Sequence, residues 1–434
     1  AIVGRILSLY SNTLTLDILE TEIKEGDTEL INISWDDIYD RFTWQLIGSA
    51  DQAEYDYYYY LRYNSGSIEQ GITSNNYYMP SQSGSVATFY IQARNRDDEG
   101  KLYTFSNQIT FDGSVTPSLY SGGNGTELNP YLISNSTDFY NIFMRNSANE
   151  RYYFALNSNI EVNIADMITH VEENGGSAED ILSFYGHLSG NGNTITINAT
   201  SLMDMQSSYS KVITGLGNDS ITFDKYVALF HTLDSQASIE DLNINFNINL
   251  SMQNATNAIL SSLVLYNYGT ISGVTLSSVN IAGLSTTALS VSNIMVGGIA
   301  GINLGDIVEA RDNASFTYNA GSRYIRFGYG GIAAFNDVIE GDAGRIIYSF
   351  SQGNKTVNIQ SANAIALLSG IAINNYSLIS SSGNSGNFTV TNSGSVSSFT
   401  VYVSGITILN SNGSLNYLYN TGTFTRAQVG TVYA

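Results

Sequence analysis

Gly298-Ile299-Ala300-Gly301-Ile302-Asn303 recurs downstream as Gly331-Ile332-Ala333-Ala334-Phe335-Asn336, as Gly370-Ile371-Ala372-Ile373-Asn374-Asn375 and as Gly405-Ile406-Thr407-Ile408-Leu409-Asn410. Gly and Ile keep their places, an Asn stands five residues after each Gly, and the Gly-to-Gly intervals are 33, 39 and 35 residues. A degenerate copy, Ser262 to Asn267, lies 36 residues before Gly298, and Ala228-Leu229-Phe230 lies 34 before that. Self-similarity at such a period marks a solenoid. Each Asn opens a turn and a new strand, as in Asn267-Tyr268-Gly269-Thr270-Ile271 and Asn303-Leu304-Gly305-Asp306-Ile307. A short strand cannot bury its apolar side alone, but copies stacked about 4.8 Å apart bury a continuous column of Ile, Leu and Val. Gly permits the tight corner, and Asn side chains stack as a hydrogen-bonded ladder. About 35 residues supply one coil of three short strands with loops, so about eight or nine coils are expected.

Composition agrees with a β-rich chain. Of 434 residues 43% are hydrophobic but only 13% charged, and Asn, Ser, Thr, Gly and Tyr supply the remaining polar surface. The net charge of -21 argues against nucleic acid and against an anionic membrane surface, which require clustered Lys and Arg. No run of roughly 18 apolar residues spans a bilayer. The absence of cysteine removes disulfides, thiol nucleophiles and thiolate metal sites. No signal peptide is visible, so the chain reads as a mature product or a fragment.

Pro117 and Pro130 bracket a Gly/Ser/Asn-rich stretch, and the boundary between two regions falls near Asp112 to Pro117. The expected division is an extension over residues 1–12, a sandwich over 13–114 and a solenoid over 118–434. Upstream, period-two alternation runs over Leu14 to Ile23, Glu29 to Trp35, Glu54 to Asn64, Ile68 to Thr73, Thr88 to Asn95 and Tyr103 to Phe111. Six or seven strands in about 100 residues suit one β-sandwich. Ile31-Asn32-Ile33-Ser34-Trp35, Tyr57 to Tyr63, and Phe89 to Asn95 followed by Gly100 resemble the Trp-bearing strand, the central aromatic strand and the late strand of an immunoglobulin-like fibronectin type III domain. The proline that usually precedes that family's first strand is missing.

Val296 to Asn303 is similar to the motif of GLUG-repeat β-helices of bacterial surface proteins, and Gly123 to Ile133 and Phe184 to Ile195 resemble the opening and an early coil of that family. Asp138-Phe139-Tyr140-Asn141-Ile142 reads as a short helical cap over the first coil. The resemblance implies a right-handed parallel β-helix over residues 120–425, so the fold class expected is all-β: a fibronectin III-like sandwich followed by a right-handed solenoid.

Some GLUG proteins carry a zinc peptidase, whose His-Glu-x-x-His motif sets two imidazoles on one metal. Here His170-Val171-Glu172-Glu173 lacks the second His; His170, His187 and His231 read as separate surface or turn residues, and no metal or other cofactor is expected. Carboxylate pairs for glycosidic chemistry would be Asp219 with Asp224, Glu240 with Asp241, or Asp337 with Asp342, each near a turn where Asp serves the backbone. Gly122-Gly123-Asn124-Gly125 and Gly383-Asn384-Ser385-Gly386-Asn387 read as ordinary turns rather than a calcium or nucleophile motif. Sequons such as those at Asn198, Asn254, Asn313 and Asn387 permit glycosylation.

The Tyr-rich strand supplies the candidate binding face. Alternation puts Tyr57, Tyr59, Leu61 and Tyr63 on one side and Asp56, Tyr58, Tyr60 and Arg62 on the other. The first row is core; Tyr58, Tyr60 and Arg62 are expected to meet a partner or the neighbouring domain in preference to a glycan. Gly298, Asn303, Gly331, Asn336, Gly370, Asn375, Gly405 and Asn410 are assigned to structure.

These readings lead to a non-enzymatic extracellular surface or appendage protein, an adhesin or a self-assembling subunit of a layer or filament. Its partners are other copies of itself or other surface proteins, with glycans as a further class. Residues 1–12 are expected to pair with an edge strand of an adjacent subunit. The alternatives are a carbohydrate-active β-helix enzyme, marked by converging carboxylates and bases in a groove, and a phage or viral fibre segment, marked by trimerisation.

Overall fold

The computed structural model describes residues 30–36, 41–47, 55–63, 66–75, 77–78, 86–95, 102–105, 109–110, 120–145, 151–173, 183–213 and 220–433, apart from short gaps at 124, 288, 323, 393–395, 397 and 427–430. The chain divides into two compact units, Ala1–Leu119 and Tyr120–Ala434. The expected assembly strand at residues 1–12 and the strand at Leu14 to Ile23 lie outside the described residues.

In the second unit each coil runs through four strands, not the three expected. Val264–Asn267 is followed by Thr270–Ser272, Thr275–Thr286 and Ser292–Gly297, and the next coil opens with Ala300–Asn303. Each strand pairs in parallel with its counterpart one coil on: Val264 with Ala300, Thr270 with Asp306, and Asn257 with Asn293 in the strand before the corner. The result is four long sheets of nine, eight, seven and eight strands, a parallel β-solenoid of about seven complete coils rather than eight or nine. From Phe316–Ala320 onward the third strand bends in two, and a fifth sheet of four strands forms.

The corner Ile residues carry the core. Leu263, Ile299, Ile332 and Ile371 follow one another coil by coil, as do Ile271, Ile307, Ile346 and Ile379, and none of them is exposed. Fully burying each such side chain contributes roughly 1.5–3 kcal/mol. The glycines beside them answer to space. A Cβ on Gly298 would stand 2.0 Å from the carbonyl oxygen of Gly331, on Gly331 2.2 Å from that of Gly370, and on Gly370 2.1 Å from that of Gly405. None of these four glycines has a positive φ, so close coil-to-coil approach, rather than a left-handed corner, dictates the residue.

The repeated Asn residues form a ladder along the axis. Asn267 Nδ2 donates to Asn303 Oδ1 at 2.7 Å, Asn303 to Asn336 at 2.8 Å, Asn336 to Asn375 at 2.7 Å and Asn375 to Asn410 at 2.6 Å. Each Nδ2 also reaches a backbone carbonyl, such as that of Asp306, Arg345 or Leu378. The ladder starts at Asn267 because Leu233 occupies that register one coil earlier, which leaves Asn267 Oδ1 buried without a partner.

The first coil is closed by helical segments. Ser136–Tyr140, capped by the Asn135 side chain on the Asp138 N–H at 2.9 Å, continues as the 3-10 turn Asn141–Arg145, and Phe139 and Phe143 pack on Phe230. A further helix, Ile164–Glu173, buries Ile164, Met167 and Val171; the sequence reading did not anticipate it.

A hairpin also interrupts the repeat. Ser220–Val227 joins the stack beside Asn257–Ser261, and Met203–Val212 folds back on it antiparallel. Its Met205, Tyr209 and Phe223 cover an apolar layer outside the coils made by Ile259, Met295, Leu367, Phe335 and Ile373, residues of opposite parity to the inward set. Tyr209 donates to Asp337 at 2.7 Å and Lys211 pairs with Asp337 at 2.8 Å, fastening the hairpin several coils from where it leaves the stack.

The described residues of the first unit form two small antiparallel sheets. One orders Leu30–Asp36, Arg41–Ile47 and Tyr77–Tyr78; the other centres on Tyr55–Tyr63 between Ile68–Thr73 and Val86–Asn95. Phe42, Trp44, Tyr57, Leu61, Phe89 and Ile91 form a shared buried cluster. The strand Arg41–Ile47 is absent from the sequence reading, yet its Trp44 is buried in this cluster, with Tyr57 and Phe89 against it.

Two substitutions test the stacking. Gly331→Ala is expected to lower the unfolding free energy by about 1–3 kcal/mol through overpacking, whereas Gly321→Ala, whose Cβ would meet the Gln360 side chain at 3.4 Å and the Asn319 carbonyl oxygen at 3.9 Å, should change it little. Asn336→Ala strands its ladder neighbours and should cost about 2–3 kcal/mol, more than Asn410→Ala at the exposed end of the row; chemical denaturation of both variants gives the comparison.

Candidate functional site

The solvent side of the nine-stranded sheet, at its first coils, holds a groove of about 340 Å³. Phe154, Leu188 and Ile239 point into the core, so alternation turns Tyr153, His187 and Ser238 outward in one row and Ala155, Ser189 and Glu240 in the next. The turn preceding Tyr131–Ile133 adds Glu127 and Pro130 as a wall. That turn is fixed by Gly123 and Gly125, whose φ values of 83° and 77° lie in the left-handed region.

His187 stacks on Tyr153 with ring centroids 4.5 Å apart and 24° between planes, and its Nδ1 shares a hydrogen bond with Ser238 Oγ at 2.9 Å. Burial lowers the His187 pKa, and nearby Arg151 lowers it further, against the opposite pull of Glu127 and Glu240. The ring is therefore mostly neutral at pH 7, offering one donor and one acceptor. Arg151 is held in turn by Asp234 at 2.9 Å and by the Tyr185 carbonyl at 2.8 Å. An aromatic platform, two carboxylates and several hydroxyls in one trough match the face and rim of a sugar ring: the platform packs on C–H groups and the carboxylates accept from hydroxyls.

The residues singled out from sequence fall elsewhere or apart. Asp219 lies outside the described residues, and Asp224 lines a different groove of about 380 Å³ with Thr200, Lys225 and Leu250 to Thr256. Glu240 faces the groove, but Asp241 sits at a left-handed turn with φ 48°. Asp337 is buried under the hairpin, while Asp342 is exposed in a two-stranded ladder. Tyr58, Tyr60 and Arg62 are half-buried on the face opposite Tyr57, Leu61 and Tyr63, and Tyr60 stacks on Tyr90 at 4.9 Å. Tyr153, Glu127 and Ser238 were not singled out; only the coil register brings them beside His187.

The three histidines are separate, but not all are surface residues. His170 lies on Ile164–Glu173 against Asn141 Oδ1 at 2.9 Å, whereas His231 is buried between Tyr226 and Tyr266, its Nε2 without a partner. Desolvation lowers its pKa to about 4. Among the described residues no three His, Asp or Glu side chains gather as metal ligands.

No protein-family model matches the chain, and no curated protein is significantly similar to it. Among solved structures it is similar to one described as a putative immunoglobulin A1 protease from Bacteroides ovatus, at 17% identity and a TM-score of 0.36, over 73% of this chain and 87% of that one. It is also similar to the pectate lyase PelI from Erwinia chrysanthemi, at 9% identity and a TM-score of 0.14, over 91% of this chain and 99% of that one. At such scores no residue role or substrate transfers. Both are nevertheless described as enzymes, which corrects the expectation that this chain is not one: the architecture gives no ground for excluding catalysis.

The pKa of His231 gives a pH prediction. An unfolded histidine titrates near 6.5 and this one at about 4, so between those values the unfolded chain binds the proton more readily. The stability His231 contributes above about pH 6.5 is lost as the pH falls towards 4, by an amount on the order of 3 kcal/mol. His231→Phe should flatten that part of the curve, read from denaturation midpoints across the same range.

Proposed function

We propose that this chain is an extracellular surface adhesin, in which a right-handed, GLUG-like β-helix forms a stiff stalk, a fibronectin III-like sandwich precedes it, and the Tyr153–His187 groove receives a glycan. The handedness follows the strong preference of parallel strand crossovers. The carrying observation is the groove itself, an aromatic pair stacked at 4.5 Å with Glu127 and Glu240 in the same trough. Low charge density, net acidity and a surface rich in Asn, Ser and Thr support an extracellular setting. The row Tyr58, Tyr60 and Arg62 is the surface assigned to a second copy or another surface protein.

A second reading shares the site. Glu127 and Glu240 are the residue type that performs acid and base steps on glycosidic bonds, so cleavage of the bound glycan is the catalytic alternative.

An oligosaccharide panel covering neutral and acidic glycans, titrated against the full chain, tests both. Binding to at least one glycan is expected, weakened about tenfold by Tyr153→Ala, a loss of about 1.4 kcal/mol. Product release from the same glycan, abolished by Glu240→Gln, would establish the enzyme instead. Absence of binding across the panel, or binding indifferent to Tyr153 and His187, would refute the groove assignment.

A further inference from the structure

Inside the stack, Asp312 and Lys355 are both fully buried and stand 2.7 Å apart. Asp312 closes Arg311–Asp312, and Lys355 opens Lys355–Ile359 one coil later. Burying an ion pair is costly unless every remaining donor and acceptor is matched, and here each one is. Asp312 Oδ1 accepts from the Ala314 N–H at 3.1 Å and from the Tyr329 hydroxyl at 3.2 Å. Oδ2 accepts from Ser351 Oγ at 3.0 Å as well as from Lys355 Nζ. Lys355 Nζ also donates to Ser351 Oγ at 2.9 Å and to the Gly353 carbonyl at 2.7 Å. Ser351 therefore takes a hydrogen bond from the nitrogen and gives one to the oxygen beside it.

This arrangement has the parts of an acyl-transfer site. The nucleophile and carboxyl are held together out of water, which raises their effective concentration by many orders of magnitude. Two donors converge on Oδ1, where negative charge gathers when the carbon becomes tetrahedral. Ser351 forms a short path for protons from Nζ to Oδ2. Burial pushes the Asp312 carboxyl up, against the lowering effect of Lys355, and so favours its neutral acid form. Tyr329, pushed well above its ordinary value, stays protonated as a donor.

We infer that Lys355 and Asp312 condense into an intramolecular isopeptide bond that ties adjacent coils together. Nζ gives its electron pair to Cγ of Asp312 and the Cγ–Oδ2 bond breaks. Two protons pass in all from the ammonium to Oδ2, which leaves as water, and Nζ keeps one as the amide hydrogen. Oδ1, held by Tyr329 and Ala314, returns to a carbonyl. No redox change occurs and no co-reactant is needed.

Intact-mass measurement of the full 434-residue chain under denaturing conditions tests the inference. The mass is expected to fall below that of the sequence by one water, with trypsin failing to cut after Lys355 and one branched peptide joining it to Asp312. Lys355→Met should restore the full mass, and freshly made Ser351→Ala should be a mixture that closes slowly. Full mass in the unmodified chain, with cleavage after Lys355, overturns the inference and leaves an ion pair only. So does a loss of water that maps to a succinimide at another residue. The unmodified chain decides the matter even if a variant fails to fold.

Discussion

The asparagine ladder is the constraint on which the solenoid depends. A carboxamide has two donor hydrogens and one acceptor oxygen, and along Asn267, Asn303, Asn336, Asn375 and Asn410 one donor goes to the next carboxamide while another hydrogen bond reaches the backbone. That geometry works only when successive coils are held at strand spacing and in one register. Variation in repeat length must therefore be absorbed elsewhere. In the 39-residue repeat the excess over the 33-residue one lies between Asn336 and Arg345, where the ladder Val338–Ile339 with Asp342–Ala343 bulges out before the register resumes opposite Asp306. The insertion follows Asp337, the acceptor to which Tyr209 and Lys211 fasten the long hairpin.

A second polar column runs beside the first. Leu276, Asp312, Ser351, Asn384 and Asn420 occupy one register through successive coils, and Asn384 donates to Asn420 at 2.8 Å. Like the asparagine row it begins where an apolar residue gives way to polar ones. Its first polar member is charged, and the charge is met from within the fold by Lys355 rather than by solvent. Between the two columns, the apolar interior supplies the burial free energy while the polar rows discriminate against a slipped coil, since a shift of one residue would leave each carboxamide unpaired.

The solenoid was legible in the sequence because both ends of its six-residue signature are fixed by stacking. Gly331 has no room for a Cβ and Asn336 has a partner above and below, so neither position drifts. The Tyr-rich strand was legible for the same reason at period two. What escaped reading lacked repetition. Phe42 and Trp44 alternate, but over too short a run to compete with the Ile-rich strand before them. The hairpin around Tyr209 reads as two ordinary polar strands until Ile259, Met295 and Leu367 stack into the apolar layer it covers. Glu127, Tyr153, His187 and Glu240 come from four separate segments, and nothing local in any of them predicts a shared groove.

That difference follows from where the constraints lie. Residues that hold a coil to its neighbour must recur at the coil period and therefore leave a pattern, whereas residues that use the outside of the stack are free of it. Outward positions on the nine-stranded sheet show this: the row through Tyr153 continues as His187, Ser238, Thr270, Asp306, Arg345 and Leu378, with no residue type conserved along it. Asp306 and Arg345 pair across adjacent coils in that row, while Tyr153 and His187 stack at its start. A solenoid of this kind can change its surface chemistry from one coil to the next without altering its core, and the break in the pattern, rather than the pattern, is where a binding site is to be sought.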